Sequence, residues 1–269
     1  MSSIVLPTER SAVESYNPSL LILGGAPKSG KSSFIASIDD NLIIDLEDGY
    51  RALSVMKIQA RSVKNLKDIR EAIIEKGKEI KKAPYRFITI DNASRLEEMC
   101  VPYAGELYRQ TALGQNWGYL RDKNGMIIIN TKTNKPMIDP KADVRLLPNG
   151  AGYGYLRKAI RQSIDMFKPL CETLILVTHI KDTTINRDGK ELSEMSIDLA
   201  GKIGNILCGE ADAVGNIYRE GNKTFLSFAG GDNSIREARP LHLRGKIFTI
   251  GESDENNNVT WNSKQIFVN

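Results

Sequence analysis

The chain has 269 residues, 41% hydrophobic and 26% charged, with a formal net charge of +4. That balance suits a globular protein that buries a core, excludes a chain too polar to fold, and allows one large α/β domain or a core carrying an insertion. No apolar run approaches the ~20 residues of a membrane-spanning helix, and the first residues, with Glu9 and Glu14, lack the apolar centre of a secretion signal. Cys100, Cys171 and Cys208 are widely spaced and odd in number, and His179 and His242 are the only histidines. This pattern fits a reducing, cytoplasmic setting and argues against a His/Cys metal site.

Residues 1–18 read as an irregular lead-in that ends at Asn17-Pro18. Leu20-Leu21-Ile22-Leu23 is then a short apolar run, as a buried parallel strand requires. It leads into Gly25-Ala26-Pro27-Lys28-Ser29-Gly30-Lys31-Ser32, an unbroken G-x-x-x-x-G-K-[ST] loop, and Ser33 to Ile38 continues as a helix. Strand, glycine loop and helix are the context in which this loop binds a nucleoside triphosphate. Gly25 and Gly30 let the backbone approach phosphates. Successive N–H groups then form an anion nest. Lys31 is placed to reach the β- and γ-phosphates, and the Ser32 hydroxyl to ligate Mg²⁺, so ATP and Mg²⁺ are the expected ligands. Lys28 either adds charge to the loop or is merely solvated.

Asn41-Leu42-Ile43-Ile44-Asp45 predicts a second strand and Met56–Ala60 a short third one. Apolar positions at Leu66, Ile69, Ala72, Ile73 and Ile74 predict a helix over 65–78. Tyr85–Ile90 reads as a strand and Ala93–Tyr108 as a helix. The rhythm breaks at about Thr111–Gly150, where Gly125–Ile129 and Met137-Ile138 flank a polar turn punctuated by Pro136, Pro140 and Pro148. This predicts an insertion containing a hairpin. Gly154–Leu170 is a helix, Thr173–Val177 a core strand, and a polar hairpin turns around Asn186-Arg187-Asp188-Gly189. A helix near Leu199–Leu207 and a hairpin of Val214–Arg219 and Thr224–Phe228 follow, and the Asn-rich tail from Asn256 reads as loose. Alternating strands and helices imply a mostly parallel sheet covered on both faces. The division is a single domain over 1–250 with its insertion at 111–150, and a tail over 251–269.

A hydrolytic site also needs a carboxylate near Mg²⁺, a group that orients water, and a sensor of the γ-phosphate. Asp91 ends the strand 85–90, at the sheet edge where the loop lies, and suits the Mg²⁺ shell; an N-cap for the next helix is its alternative use. Glu47, two residues beyond the second strand, is placed to take a proton from water, with Asp45 and Asp48 as rivals for that role. Thr178 and His179 emerge from the strand 173–177, where His179 either bonds the γ-phosphate or is a structural histidine.

Charge is unevenly spread. Residues 101–170 hold eleven Lys/Arg and five Asp/Glu, together with Tyr103, Tyr108, Trp117, Tyr119, Tyr153, Tyr155 and Phe167. Cations interleaved with rings suit single-stranded nucleic acid, whose phosphates attract cations and whose bases stack. An insertion with its own small core and a solvated rim reads equally well.

The order of elements resembles the RecA-type ATPase core. Ile44-Asp45-Leu46-Glu47 resembles the stretch that carries that family's catalytic glutamate. Val177-Thr178-His179-Ile180 occupies the place of the segment that couples γ-phosphate to DNA binding. With the phosphate loop, Ile90-Asp91-Asn92, His179-Ile180-Lys181-Asp182 and Arg239-Pro240-Leu241-His242-Leu243, the chain is similar to phage-encoded RecA-like ATPases of the single-strand-annealing recombinase type. The resemblance covers about residues 18–250 apart from the insertion. It implies an α/β RecA-like P-loop NTPase core with a mostly parallel central sheet, a hairpin-containing insertion and a C-terminal β-hairpin. It also implies an ATPase acting on single-stranded DNA in recombination, annealing or replication, in the host cytoplasm, as a homo-oligomeric ring or filament. In such assemblies a basic residue of one subunit completes the next subunit's site, for which Lys181, Arg236, Arg239 and Lys246 are candidates. Two features depart from RecA: Glu47 follows Lys31 by only 16 residues, and the insertion has no matching counterpart. The competing functions are a nucleotide-dependent scaffold without DNA-stimulated turnover and a small-molecule P-loop kinase, for which no Arg-rich lid is visible.

Overall fold

The structure is a computed structural model that describes residues 6, 8–10, 12, 14–187, 190–230 and 235–268, with backbone alone for 182–187 and 190–195. In chain order its first half consists of β1 (Leu20–Gly25), α1 (Lys31–Ala36), β2 (Asn41–Asp45), β3 (Lys57–Gln59), α2 (Val63–Ile80), β4 (Phe87–Asp91) and α3 (Ala93–Arg109). The insertion holds β5 (Ile129–Asn130) and β6 (Lys135–Pro136). There follow α4 (Ala151–Asp165), β7 (Thr173–Val177), β8 (Ile180–Arg187), β9 (Lys190–Ile197), α5 (Ile203–Glu210), β10 (Ala213–Glu220) and β11 (Lys223–Ser227). The chain closes with β12 (Glu237–Ala238), β13 (Ile247–Ser253) and β14 (Val259–Trp261).

The main sheet runs β14-β13-β11-β10-β1-β7-β4-β2-β3, with β12 also paired to β10. β3, β2, β4, β7, β1 and β10 are mutually parallel. β11, β13 and β14 extend it antiparallel. This is the expected α/β core with a mostly parallel central sheet. One consequence governs the site: β7 stands between β1, which feeds the phosphate loop, and β4, which carries Asp91.

The central parallel strands β1, β4 and β7 are largely apolar and buried because both faces are covered. Leu20 and Ile22 of β1 face a core shared with α2, α3, α4 and α5, while Leu21 and Leu23 face a second core with Phe34 and Ile35 of α1. That second face has only the six residues of α1 as a regular helix. The C-terminal segment covers the rest. Ile266 is fully buried, the Phe267 ring lies 4.4 Å from that of Phe87, and Ser263 Oγ donates to the Ser37 carbonyl at 2.8 Å. Asn17 fastens the end, donating to the Val268 carbonyl at 2.7 Å and accepting from its N–H at 2.9 Å.

This corrects the expectation of a loose tail. Asp254 accepts from the backbone of Asn256 and Asn258, so the Asn-rich stretch is the turn between β13 and β14. The insertion hairpin is also smaller than expected. β5 and β6 have two residues each, and the Gly125–Ile129 limb contributes only the bridge Arg121–Ile127 before β5. Pro136 has no N–H to extend the ladder. The turn Asp188-Gly189 lies outside the described residues, while its flanks β8 and β9 pair antiparallel. All three cysteines are free, and burial pushes each thiol up to about 12. Among the described residues no helix is long and apolar enough to cross a membrane.

Candidate nucleotide site

The parallel strands end at one edge, and most of the sequence-predicted site residues meet there around a cavity of about 310 Å³. Pro27, Lys28, Gly30, Lys31, Ser32 and Ser33 line one wall. Glu47, Asp91 and His179 line the others. Gly25, Ala26 and Ser29 form the inner turn of the loop, where the Ser29 N–H donates to the Ala26 carbonyl at 3.2 Å.

Local geometry explains the two glycines. Gly30 starts α1 at φ 98°, in the left-handed region that other residues avoid. A Cβ at residue 25 would sit 2.7 Å from both Ser29 Oγ and the Ile217 carbonyl oxygen, so the loop closes only over glycine. With six residues, α1 aligns few peptide dipoles. The loop's own N–H groups and Lys31 therefore supply most of the positive potential. Lys31 is buried, and its Nζ donates to the Gly25 and Ala26 carbonyls, both at 2.8 Å. Burial lowers its pKa, which the charges of Asp91 and Glu47 partly offset.

The three acids after β2 divide their work. Asp45 is 1% exposed, and its Oδ1 accepts from the N–H groups of Glu47, Asp48 and Gly49 at 3.1, 2.7 and 3.2 Å. It shapes the turn. Asp48 is tied to Arg51 and Gln59. Glu47 is exposed on the cavity wall, with no hydrogen-bond or ion-pair partner for its side chain among the described residues. Of the rivals, only Glu47 keeps its carboxylate uncommitted.

Asp91 is likewise spared from capping, because Asn92 caps α3 by accepting from the Arg95 N–H at 2.9 Å. Its Oδ2 instead accepts from the Tyr50 hydroxyl at 2.5 Å. A fully buried tyrosine thus orients the carboxylate expected at Mg²⁺. Burial raises the Asp91 pKa, against the Tyr50 hydrogen bond, which lowers it. Burial beside Asp91 also drives the Tyr50 pKa upward, so the phenol stays a donor. At the end of β7, Thr178 Oγ1 donates to the His179 carbonyl at 3.0 Å, and the buried His179 Nδ1 has no partner.

Among the cavity residues that sequence reasoning missed are Tyr50 and Arg219. Nothing periodic marks Tyr50 beyond its place after Asp48-Gly49. Arg219 reaches the cavity only through the sheet: it sits near the end of β10, which is both half of a hairpin and the parallel neighbour of β1. Among the intersubunit candidates, Lys181 is engaged by Asp198 and the Leu199 carbonyl, and Arg239 by Asp212 and the Gly209 carbonyl. Lys246 is exposed, and Arg236 has an interaction within the chain.

Sheet order, phosphate loop and strand-end carboxylates define a P-loop nucleoside-triphosphate-binding protein. A sequence model of an AAA domain matches residues 17–239, and the chain belongs to that family of P-loop ATPases. No curated protein sequence matches it. Among solved structures it is similar to the RadB recombinase, with 10% identity over 91% of each chain and a TM-score of 0.43.

Proposed function

We propose that the chain is an ATP-hydrolysing RecA-like protein that acts on single-stranded DNA in phage-type recombination, annealing or replication. The convergence of Lys31, Ser32, Glu47 and Asp91 on one cavity carries this reading. Lys31 exchanges its two loop carbonyls for β- and γ-phosphate oxygens. Ser32 and Asp91 are hard oxygen donors of the kind Mg²⁺ prefers, both at the same cavity wall, and they would hold the ion. When bound, Mg²⁺ neutralises phosphate charge. Glu47, uncommitted and at the cavity wall, accepts the proton of the attacking water. His179, with an unpartnered buried nitrogen at the end of β7, reports the γ-phosphate to the β8–β9 hairpin that follows it directly.

For DNA, the supporting feature is the cationic rim of residues 101–170, where Arg121, Lys123, Lys132, Lys135 and Lys141 are all exposed. Several rings of that segment are already engaged in packing. Tyr108 packs against Trp117 and Tyr155, at centroid distances of 5.5 and 5.1 Å, and Phe167 is fully buried. That packing favours, as a second reading, a nucleotide-dependent scaffold without DNA-stimulated turnover. Phosphate release with and without single-stranded DNA, run beside sizing in ATP, separates them. Stimulation by DNA with ATP-dependent assembly supports the ATPase acting as a ring or filament. Tight ATP binding with no phosphate release in the presence of DNA and Mg²⁺ supports the scaffold.

A further inference from the structure

We propose that Arg219 is a phosphate-binding residue of the nucleotide site in its own chain, an inference that rests on the nucleotide-binding reading above. The topology places it. β1 ends at Gly25, which lies opposite Ile217 of β10, but β10 continues to Glu220 because it pairs onward with β11. Side chains two apart on a strand share a face, so Arg219 shares the face of Ile217, which packs in the core of α1. Where β1 turns off into the phosphate loop, β10 runs past and delivers a guanidinium beside it. A Cβ at residue 30 would lie 3.4 Å from Arg219 Nη2 and 3.6 Å from its Nε. The arginine lines the same cavity as Lys31, Glu47, Asp91 and His179.

The second observation is what Arg219 lacks. Arg86 is paired with Glu172, Arg145 with Asp143, Arg161 with Glu210 and Arg239 with Asp212. Arg219 has no carboxylate or hydrogen-bond partner for its side chain among the described residues, although it stands at a wall that also holds Glu47 and Asp91. An arginine anchored on a paired strand, with its planar fork of donors unspent, is suited to bidentate binding of phosphate oxygens. The closing strand supports this placement. Trp261 of β14 comes within 3.1 Å of the same Cβ position, so two side chains converge on the space that Gly30 leaves open. Glycine there serves the αL turn and the approach of the guanidinium together. The chain thus brings its own arginine to the phosphates, where a neighbouring subunit was expected to supply the cation.

The test uses the full chain and calorimetric titration with ATP and with ADP, each with Mg²⁺. Arg219→Ala is expected to weaken ATP tenfold or more and to leave the melting temperature without nucleotide unchanged, because the residue is exposed. Arg219→Lys, which keeps charge but not the fork, is expected to restore only part of the loss. A loss confined to ATP places the guanidinium on the γ-phosphate, and an equal loss for ADP places it on the inner phosphates; both support the proposal. ATP and ADP affinities within twofold of the unmodified chain overturn it. Mixing Arg219→Ala with Lys31→Ala chains tests the in-chain assignment. At ATP concentrations too low to fill the Arg219→Ala site, turnover that stays low in the mixture supports it, and recovery in the mixture overturns it. If the unmodified chain binds ATP but releases no phosphate, the ATPase reading falls while the titration still decides Arg219. If it binds neither nucleotide, both fall.

Discussion

The strand-end cavity and the insertion are both rich in charge, and they use it in opposite ways. In the insertion, Asp122, Asp139 and Asp143 each accept from backbone N–H groups a few residues on, and Trp117 packs on Tyr108 of α3, which in turn packs on Tyr155 of α4. Its aspartates and its tryptophan are engaged in holding its own shape. In the cavity, among the described residues, Glu47 and Arg219 have no side-chain partner, His179 keeps an unpartnered nitrogen, and Lys31 bonds the carbonyls of the loop it serves. Glu47 and Arg219 are exposed and uncommitted beside a buried lysine and a histidine with an unpartnered buried nitrogen, so opposite charges left free around one cavity mark the site better than charge density does.

The sharpest way to break this contrast is at the cavity. Lys31→Ala removes the cation that the loop holds and is expected to abolish ATP turnover, by about 100-fold or more, as measured by phosphate release. Residual turnover above a tenth would move the chemistry elsewhere. Glu47→Gln is expected to cost about 10²-fold or more in turnover while ATP affinity stays within a few fold. The contrasting variant, Asp45→Ala, strips three N–H groups of their acceptor. It is expected to act on stability, by about 1–3 kcal/mol in a denaturant titration. The division of labour between the two acids fails if Asp45→Ala leaves stability intact or Glu47→Gln leaves turnover intact.

Asp91 and Tyr50 give a subtler test, with a sign that can be fixed. The folded-state pKa of Asp91 is raised, chiefly by burial. Its ionised form therefore costs stability, and the cost develops as pH rises from the unfolded value of about 4 through the raised folded value. Asp91→Asn is expected to remove that cost at neutral pH and raise the melting temperature by about 2–4 °C, while turnover with Mg²⁺ is lost. Tyr50→Phe deletes the hydrogen bond that lowers the Asp91 pKa, so the acid limb of the pH–rate profile should move to higher pH. A limb that stays put, or moves down, would show that the phenol does not tune Asp91.

How much of this was legible in the sequence follows from what each segment must satisfy. Asn41–Asp45 and Thr173–Val177 were bounded correctly because strands buried on both faces are forced into continuous apolar runs. The phosphate loop was legible because its chemistry dictates residue type at fixed spacing. Glu47 could be seen as an acid beyond β2, but not separated from Asp45, since the three bonds that commit Asp45 exist only in the folded turn. Tyr50 and Arg219 reach the cavity by tertiary routes, one across to β4 and the other from a strand nearly 200 residues after the loop. The final strands escaped notice because polar asparagines surround them, and because the need they meet, covering the face that α1 leaves bare, belongs to the sheet and not to the segment itself.

The smallest expected effect tests the insertion's side of the comparison. Lys132 and Lys135 are exposed and lie in the turn and the second strand of the small hairpin, where Asn130 Oδ1 already holds the Lys132 and Thr133 N–H groups. The fold asks for nothing from the two ammonium groups, so Lys132→Glu with Lys135→Glu should leave the melting temperature and DNA-free turnover unchanged. If the rim binds DNA phosphates, single-strand affinity at low salt should fall several-fold, and the slope of log affinity against log salt should flatten by about one to two. An unchanged slope would make the insertion's cations a solvated face, and the opposition between the two regions would then be complete: every charge in the insertion would serve solubility or shape, and only those at the strand ends would serve a ligand.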